Sequence, residues 1–516
     1  MTPEGRAERH APAAPLAPLV LRGRTLLGNP FLVPVLVCLV ACGEAARLVL
    51  GRLQFPYDLF MWSESPFMTN MLKLGSGEPI YGPPELANSF VYPPGLELLC
   101  YALLHPFGRD LDVRFCRAVV VALGAAAAIL ASSAAVSLHR REPSLLARAS
   151  AALLAWLLIL QHLTSDVLHP DTLHLAHATA CLVLSLRVME RRSQRAAIAA
   201  AILAGLGVLV KQTEGASLVG VLAISGYVFG LRSAELKRAF AAGLISMTLA
   251  AGWLFSNPDA RFQLFTVLSR HPIIFSRLSL LYGIKLPYQT RPIFVALAVW
   301  AVVRLVRRGN GRAVLGWAIL GVTCTLPNLL SFMKMMGGWN SFEIIDLWLF
   351  IPLWSLLVAE PRKLGGRVRV ALVFALGAWL LRCTKHVPSD AYIAHYRATE
   401  ARVSADLASG KRVLVGQGAA MLIHAGVRAA PRDREGSILE LGAAGLESLT
   451  GTAARFDAGA YDRVYLSTTW MGPPLRAALE RRYVMEQVLE PPGGPGRHAA
   501  EGIWQDFGRV EVWVLR

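Results

Sequence analysis

The sequence turns on residues 56–81, PYDLFMWSESPFMTNMLKLGSGEPIY, which run on through NSFVYPPGLELL (88–99) to PFGRDLDVRFCR (106–117). The stretch 53–117 carries seven acidic residues among aromatics and prolines, and it lies between two long apolar runs. A connection of that length in a compact protein is usually either functional or disordered. Its aromatic content argues against disorder, so the stretch reads as a structured loop with work to do.

The chain around it is a membrane chain. Of 516 residues, 54% are apolar and 17% charged, against roughly 25% charged in soluble domains, and the mean hydropathy is +0.45. A spanning helix needs ~20 predominantly apolar residues. Eleven segments qualify or approach this: 31–50, 115–138, 147–164, 173–188, 196–211, 215–231, 240–256, 292–306, 313–330, 343–359 and 368–382. The expected fold is therefore an α-helical polytopic membrane protein of about eleven transmembrane helices. The formal net charge of +17 does not point to nucleic acid, because Arg and Lys gather in short clusters between apolar runs, as the positive-inside rule requires. Seven cysteines are scattered without metal spacing. Leu39–Gly43 (LVACG) looks like a lipoprotein signal, but ten further apolar runs follow, and it reads as part of an uncleaved first helix.

The basic clusters also orient the chain. Arg22/Arg24, His139–Arg141, Arg191–Arg195, Arg232–Arg238, Arg307–Arg312 and Arg362–Arg367 occur at every second connection. With these in the cytoplasm, loops 51–114, 165–172, 211–214, 257–291 and 331–342 face outward. Gly95–Phe107 is apolar but too short to span, so it reads as a re-entrant or interfacial helix. The expected organisation is a cytoplasmic tail (1–30), a transmembrane module (31–383) with its long outer loop 51–114, and a small outer α/β domain (384–516). In that last part, 411–416, 461–467 and 508–515 read as strands and 475–482 as a helix. Gly416-Gln417-Gly418 lacks the third glycine of a dinucleotide fingerprint.

Ionisable groups near a bilayer are costly, so those on the outer side are candidates for function. The first loop holds Asp58 and Glu64, the second Asp166-Val-Leu-His169-Pro-Asp171, and the third Lys211-Gln212-Thr213-Glu214. All three share one face in the topology drawn from charge alone.

In that order the chain shows Asp58 with Glu64, Tyr92-Pro93-Pro94-Gly95, His169-Pro170-Asp171 and Lys211-Gln212-Thr213. This order resembles the GT-C-fold, polyprenyl-phosphate-sugar-dependent glycosyltransferases, in the branch with protein O-mannosyltransferases and the aminoarabinose transferases of lipid A. The resemblance covers roughly residues 30–385. It implies transfer of a sugar from a polyprenyl-phosphate donor to a glycan, lipid or protein acceptor at the outer face of the cytoplasmic (inner) membrane, within the cell envelope. It also implies that Asp58, Glu64 and Asp171 are catalytic, that Lys211, Tyr92, Arg114, His169 and Gln212 bind substrate, and that Asp58 with Asp171 could hold Mg²⁺ or Mn²⁺. A carboxylate would take the acceptor hydroxyl's proton, and a cation would meet the charge on the leaving phosphate. The chain departs from the family pattern where Leu59 follows Asp58 instead of an acid, and where Tyr92 rather than Lys precedes Pro-Pro. The base is therefore either Asp58 or Glu64, and the phosphate contact either Lys211, Arg114 or a basic residue of 257–291 (Arg270, Arg277, Lys285).

Each residue has a plainer use. Asp58 would cap the helix that follows, Glu64 would sit on its solvated face, Asp171 would cap the fourth span, and Lys211 would snorkel from a helix end. Asp166 is open to either use. His174 and His177 have metal-binding spacing on a helix, although hydrogen-bonded packing is commoner. Two other functions compete: a transporter or flippase of lipid-linked sugars, which would favour internal repeats and helices broken at mid-membrane, and a non-catalytic membrane scaffold.

Overall fold

In the computed structural model the chain is described over residues 32–59, 61–139, 145–162, 164–277, 291–335, 339–359, 387–416, 418–467, 472–491 and 509–516. The expected tail 1–30 and the expected span 368–382 lie outside the described residues. The apolar runs form helices α1 (Leu32–Leu53), α4 (Val113–Ser137), α5 (Leu145–Gln161), α6 (Asp171–Arg191), α7 (Gln194–Leu206), α8 (Ser217–Phe229), α9 (Ala234–Phe255), α10 (Arg291–Leu305), α11 (Gly311–Met333) and α12 (Glu343–Ala359). Between the first two runs lie α2 (Met61–Ser76) and α3 (Gly95–Leu104). Among the described residues, Val113–Ser137, Asp171–Arg191, Ala234–Phe255 and the kinked pair Val295–Met333 are long and apolar enough to cross a membrane.

Local chemistry sets the boundaries. Asp112, Ser193 and Ser233 cap α4, α7 and α9 by accepting a backbone amide. Pro170 directs the chain into α6, which ends at Arg192 with a left-handed φ of 50°. Polar N-caps thus precede the apolar interiors of α4, α7 and α9, and α1, α6 and α10 end on a basic turn. The outward side of α9 exposes Phe240, Leu244, Ile245, Leu249 and Trp253, an apolar stripe suited to lipid. The main core runs through α1, α4–α8, α11 and α12.

The segment from 387 on contains α13 (Asp390–Ala408), α14 (Ala419–His424), α15 (Glu435–Ala443), α16 (Thr452–Asp457) and α17 (Pro473–Arg482) around a four-stranded sheet. Its strands β1 (Val413–Val415), β2 (Arg463–Leu466), β3 (Tyr483–Leu489) and β4 (Val510–Leu515) lie in the order β1-β2-β4-β3, the first pair parallel and the others antiparallel. β3 has no counterpart in the sequence reading. It is an edge strand with a mostly solvent-facing pattern and a bulge between Met485 and Gln487, so it lacks the alternation that marks a half-buried strand.

This segment packs on the first loop. Phe55 and Tyr57 share a core with Tyr396, Met421, Leu422 and Tyr465, and the Tyr57 ring stacks on Tyr396 at 5.1 Å. The Tyr57 hydroxyl donates to Glu400 at 2.5 Å. Backbone bonds from Asp433 and Arg434 to Leu86 and Ala87 (3.0 and 2.8 Å) close the seam further along.

The loop itself is folded onto α4 by a buried cation. Arg117 donates Nε and Nη2 to the two carboxylate oxygens of Glu64 at 2.8 and 2.7 Å, and its guanidinium also meets the carbonyls of Phe55 (2.6 Å) and Tyr57 (2.5 Å). Both side chains are fully buried, so the expected solvated face for Glu64 is wrong. Five residues after Leu59 the chain has turned back, and Glu64 accepts the Leu59 amide at 2.5 Å. Removing one member of a buried ion pair strands the other charge and costs about 3–5 kcal/mol. Arg117→Met is expected to lower thermal stability in detergent by that amount, with Arg117→Met/Glu64→Leu recovering part of it. A single variant as stable as wild type would show that the pair does not anchor the loop.

Candidate active site

Asp58 sits at the bend between α1 and α2 and is 1% exposed. It does not cap α2. Its Oδ2 accepts the Ala420 amide at 3.3 Å, while Oδ1 has no hydrogen-bond partner among the described residues. Burial, reinforced by the nearby charge of Glu64, pushes its carboxyl up to about 7, against the opposing pull of Arg434, Arg117 and the Ala420 amide. A carboxylate in that state is poised near neutral pH as a proton acceptor. Glu64 differs: both its oxygens are engaged, by Arg117, Leu59 N and, at 3.1 Å, Leu168 N.

The connections 165–170 and 207–216 build the facing half. Asp171 is the first residue of α6 and is buried. Its Oδ1 accepts Lys211 Nζ at 2.5 Å, and its Oδ2 accepts Asn340 Nδ2 at 2.5 Å and lies 3.0 Å from His169 Nδ1. Lys211 also donates to Asn328 Oδ1 at 2.9 Å. Lys211 can stand there because α7 gives way to a 3-10 turn at Gly207–Leu209 just before it. Gly95, closing the Tyr-Pro-Pro-Gly run, packs onto that turn so tightly that a Cβ would meet the Leu209 carbonyl oxygen at 2.4 Å. Only glycine allows that approach. Gln212, expected to bind substrate, instead donates to the Val91 carbonyl at 2.5 Å and ties the same two segments together.

The halves meet at Leu168. Its carbonyl accepts the Ser63 hydroxyl at 2.5 Å and its amide donates to Glu64, so the loop 165–171 is laced to α2. The His169 ring lies edge-on between Trp62 (5.2 Å) and Tyr92 (5.0 Å), and its Nε2 is buried without a hydrogen-bond partner among the described residues. Trp62, Tyr92, His169, Asp171 and Lys211 are thus joined by direct contacts and linked to Glu64 through Leu168, with Asp58 beside Glu64.

Other expected residues stand apart. Arg114 is exposed and clamps Asp112 at 2.9 and 2.7 Å, so it leaves the candidate set for phosphate. Asp166 pairs with Arg52 at 2.7 Å. His174 and His177 lie 2.6 and 2.8 Å from the two oxygens of Glu214, an internal polar cluster between α6 and α8. Lys285 lies outside the described residues. Sequence reasoning missed Arg117, Asn328, Asn340 and Arg434. Arg117 carried a signal, being a cation inside an apolar run; the two asparagines and Arg434 carried none.

The divalent metal that the resemblance implies does not fit this donor set. The ammonium of Lys211 occupies one oxygen of Asp171 and Asn340 the other, and among the described residues no three His, Cys, Asp or Glu side chains are arranged to hold a metal.

No family model and no curated protein matches the chain. Among solved structures it is similar to the Archaeoglobus fulgidus oligosaccharyltransferase in complex with Zn and sulfate, with a TM-score of 0.47 at 13% identity over 89% of this chain and 72% of that one. It is also similar to ArnT from Cupriavidus metallidurans bound to undecaprenyl phosphate, with a TM-score of 0.41 at 15% identity over 86% and 84%. With TM-scores under 0.5, the functional reading rests on the residues.

The Asp58 environment has a stability signature. A carboxyl raised on folding to about 7 binds a proton that the unfolded chain has released, so its contribution is full below about pH 4 and is lost as pH rises through 7. Asp58→Asn is expected to flatten the fall in melting temperature between those pH values. An unchanged slope would mean that Asp58 is not held in this state.

Proposed function

We propose that this chain is an integral-membrane glycosyltransferase that moves a sugar from a polyprenyl-phosphate donor to an acceptor hydroxyl on the outer face of the membrane. The observation that carries the reading is the contrast between the carboxylates. Glu64 and Asp171 have both oxygens occupied, whereas Asp58 is buried, raised toward neutrality and keeps one oxygen unpartnered. Asp58 is then the general base and Glu64 the residue that positions its loop.

In the reaction the acceptor hydroxyl gives its proton to Asp58 as its oxygen attacks the anomeric carbon. The bond from that carbon to the phosphate oxygen breaks, and its electron pair leaves with the polyprenyl phosphate. Lys211 is the buried cation for the phosphate: Asp171 and Asn328 hold it and take two of its three N–H donors, and Asn340 fixes Asp171. A preformed donor of this kind contributes about 10²–10³ in rate at a centre where charge develops. The His169 ring packs edge-on against Trp62 and Tyr92 where the two halves meet.

The charge pattern supports eleven spans with the basic clusters in the cytoplasm, loops 51–114 and 165–172 outside, and residues 384–516 as an outer α/β domain over the first loop. In a bacterium this is the periplasmic face of the inner membrane.

Purified protein in lipid nanodiscs with an undecaprenyl-phosphate sugar and hydroxyl acceptors is expected to release undecaprenyl phosphate, at a rate rising with pH through about 7 as Asp58 ionises. Asp58→Asn should lower kcat by about 10²–10⁴ and Lys211→Met by about 10²–10³. Full activity in Asp58→Asn, or movement of the lipid-linked sugar across the bilayer without release of undecaprenyl phosphate, would overturn the reading.

A further inference from the structure

Buried polar atoms without a hydrogen-bond partner among the described residues gather where the first loop and α2 meet the C-terminal segment; they include Oδ1 of Asp58, Nε of Arg434 and the hydroxyl of Tyr396, of which the first two are joined by a chain of hydrogen bonds. One short ladder holds them near each other. Arg434 donates through Nη1 to the Val415 carbonyl and through Nη2 to the Ser65 hydroxyl. The Ser65 oxygen also accepts the Ala419 amide at 3.3 Å, and the next amide, that of Ala420, donates to Asp58 Oδ2 at 3.3 Å. Guanidinium and carboxylate therefore flank consecutive amides of one chain without bonding to each other.

Arg434 is not arranged like a structural pin. The adjacent Asp433 shows what a pin looks like here: its carboxylate takes Arg455 through two nitrogens, the Thr452 hydroxyl at 2.5 Å and the Tyr461 hydroxyl. The hydrogen-bond partners of Arg434 are neutral, and its neighbour Glu435 is engaged by Ser467 at 2.9 Å. A fully buried guanidinium with only neutral partners is costly, and an unsatisfied buried N–H adds to that cost. An orphan acceptor on Asp58 and an orphan donor on Arg434, on side chains tied to successive amides of one chain, point to a ligand group that is both donor and acceptor.

A hydroxyl is such a group. It donates its proton to Oδ1 and accepts from Nε–H with a lone pair. A phosphate would satisfy Arg434 but set its charge against Asp58, and an amine would satisfy Asp58 but face the guanidinium. We infer that Asp58 Oδ1 and Arg434 Nε form the docking point for a hydroxyl of the acceptor, so that the C-terminal segment supplies half of the acceptor site. The inference rests on the reading of Asp58 as base. It adds a second role for the pair, because Arg434 Nε–H then stabilises the oxygen as its proton passes to Asp58.

Arg434→Lys keeps a cation for Ser65 and the Val415 carbonyl but has no Nε–H. In nanodiscs with an undecaprenyl-phosphate sugar, this variant is expected to raise the acceptor KM by at least ~10-fold while leaving the donor KM within about twofold. A lowered melting temperature with both KM values unchanged would make Arg434 a fastener only and overturn the inference. A second measurement does not depend on turnover: saturation-transfer NMR with methyl β-D-glucopyranoside as the hydroxyl probe. Wild type and Arg455→Lys, which alters the structural pin, are expected to give a signal that Asp58→Asn and Arg434→Lys abolish. No signal from wild type, or equal signals from all four proteins, would overturn the site. Binding with this pattern but without turnover would instead overturn the transferase reading and leave the hydroxyl site standing.

Discussion

The arrangement depends on one buried ion pair, Arg117 with Glu64. A guanidinium has five N–H donors in a fixed fork, and here the fork meets both oxygens of Glu64 and the carbonyls of Phe55 and Tyr57. The chain leaving α1 is bent around that fork before it enters α2, and the bend presents Asp58. Without a buried cation at this point, the carbonyls of an irregular loop against an apolar helix would be unsatisfied. The ion pair is thus the condition for having a non-helical segment here at all.

The same principle repeats in the other half. Asp171 and Lys211 come from two different helix junctions and bond to each other, with Asn340 and His169 on Asp171 and Asn328 on Lys211. Two buried ion pairs make the two walls, and Leu168 joins them through its amide to Glu64 and its carbonyl to Ser63. Among the buried polar atoms without a hydrogen-bond partner in the described residues are Asp58 Oδ1, His169 Nε2 and Arg434 Nε. Buried groups left without partners mark where something else has to bind.

Much of this was legible beforehand. The apolar runs announced α1 and α4–α12 because a helix is the way an apolar chain satisfies its backbone in lipid, and the order of acidic and basic motifs named Asp58, Asp171 and Lys211. The roles were less legible. Glu64 and Asp58 look alike as letters, six apart in an aromatic stretch, and what separates them is Arg117, 53 residues beyond Glu64. Gln212 and Arg114 looked like substrate contacts and turned out to serve Val91 and Asp112. β3 was invisible because an exposed edge strand carries no alternation.

By itself the amino-acid sequence determined the class of protein, the helical runs, and the set of polar residues placed at the junctions between them, since hydropathy and charge are local properties summed along the chain. Only the tertiary structure decided which carboxylate keeps a free oxygen, that Lys211 is already paired and so denies Asp171 to a metal, and that Arg434, 376 residues after Asp58, comes to lie beside it. The reason is that ionisation, hydrogen-bond saturation and orphaned donors are set by neighbours in space, and those neighbours are chosen by packing across hundreds of residues.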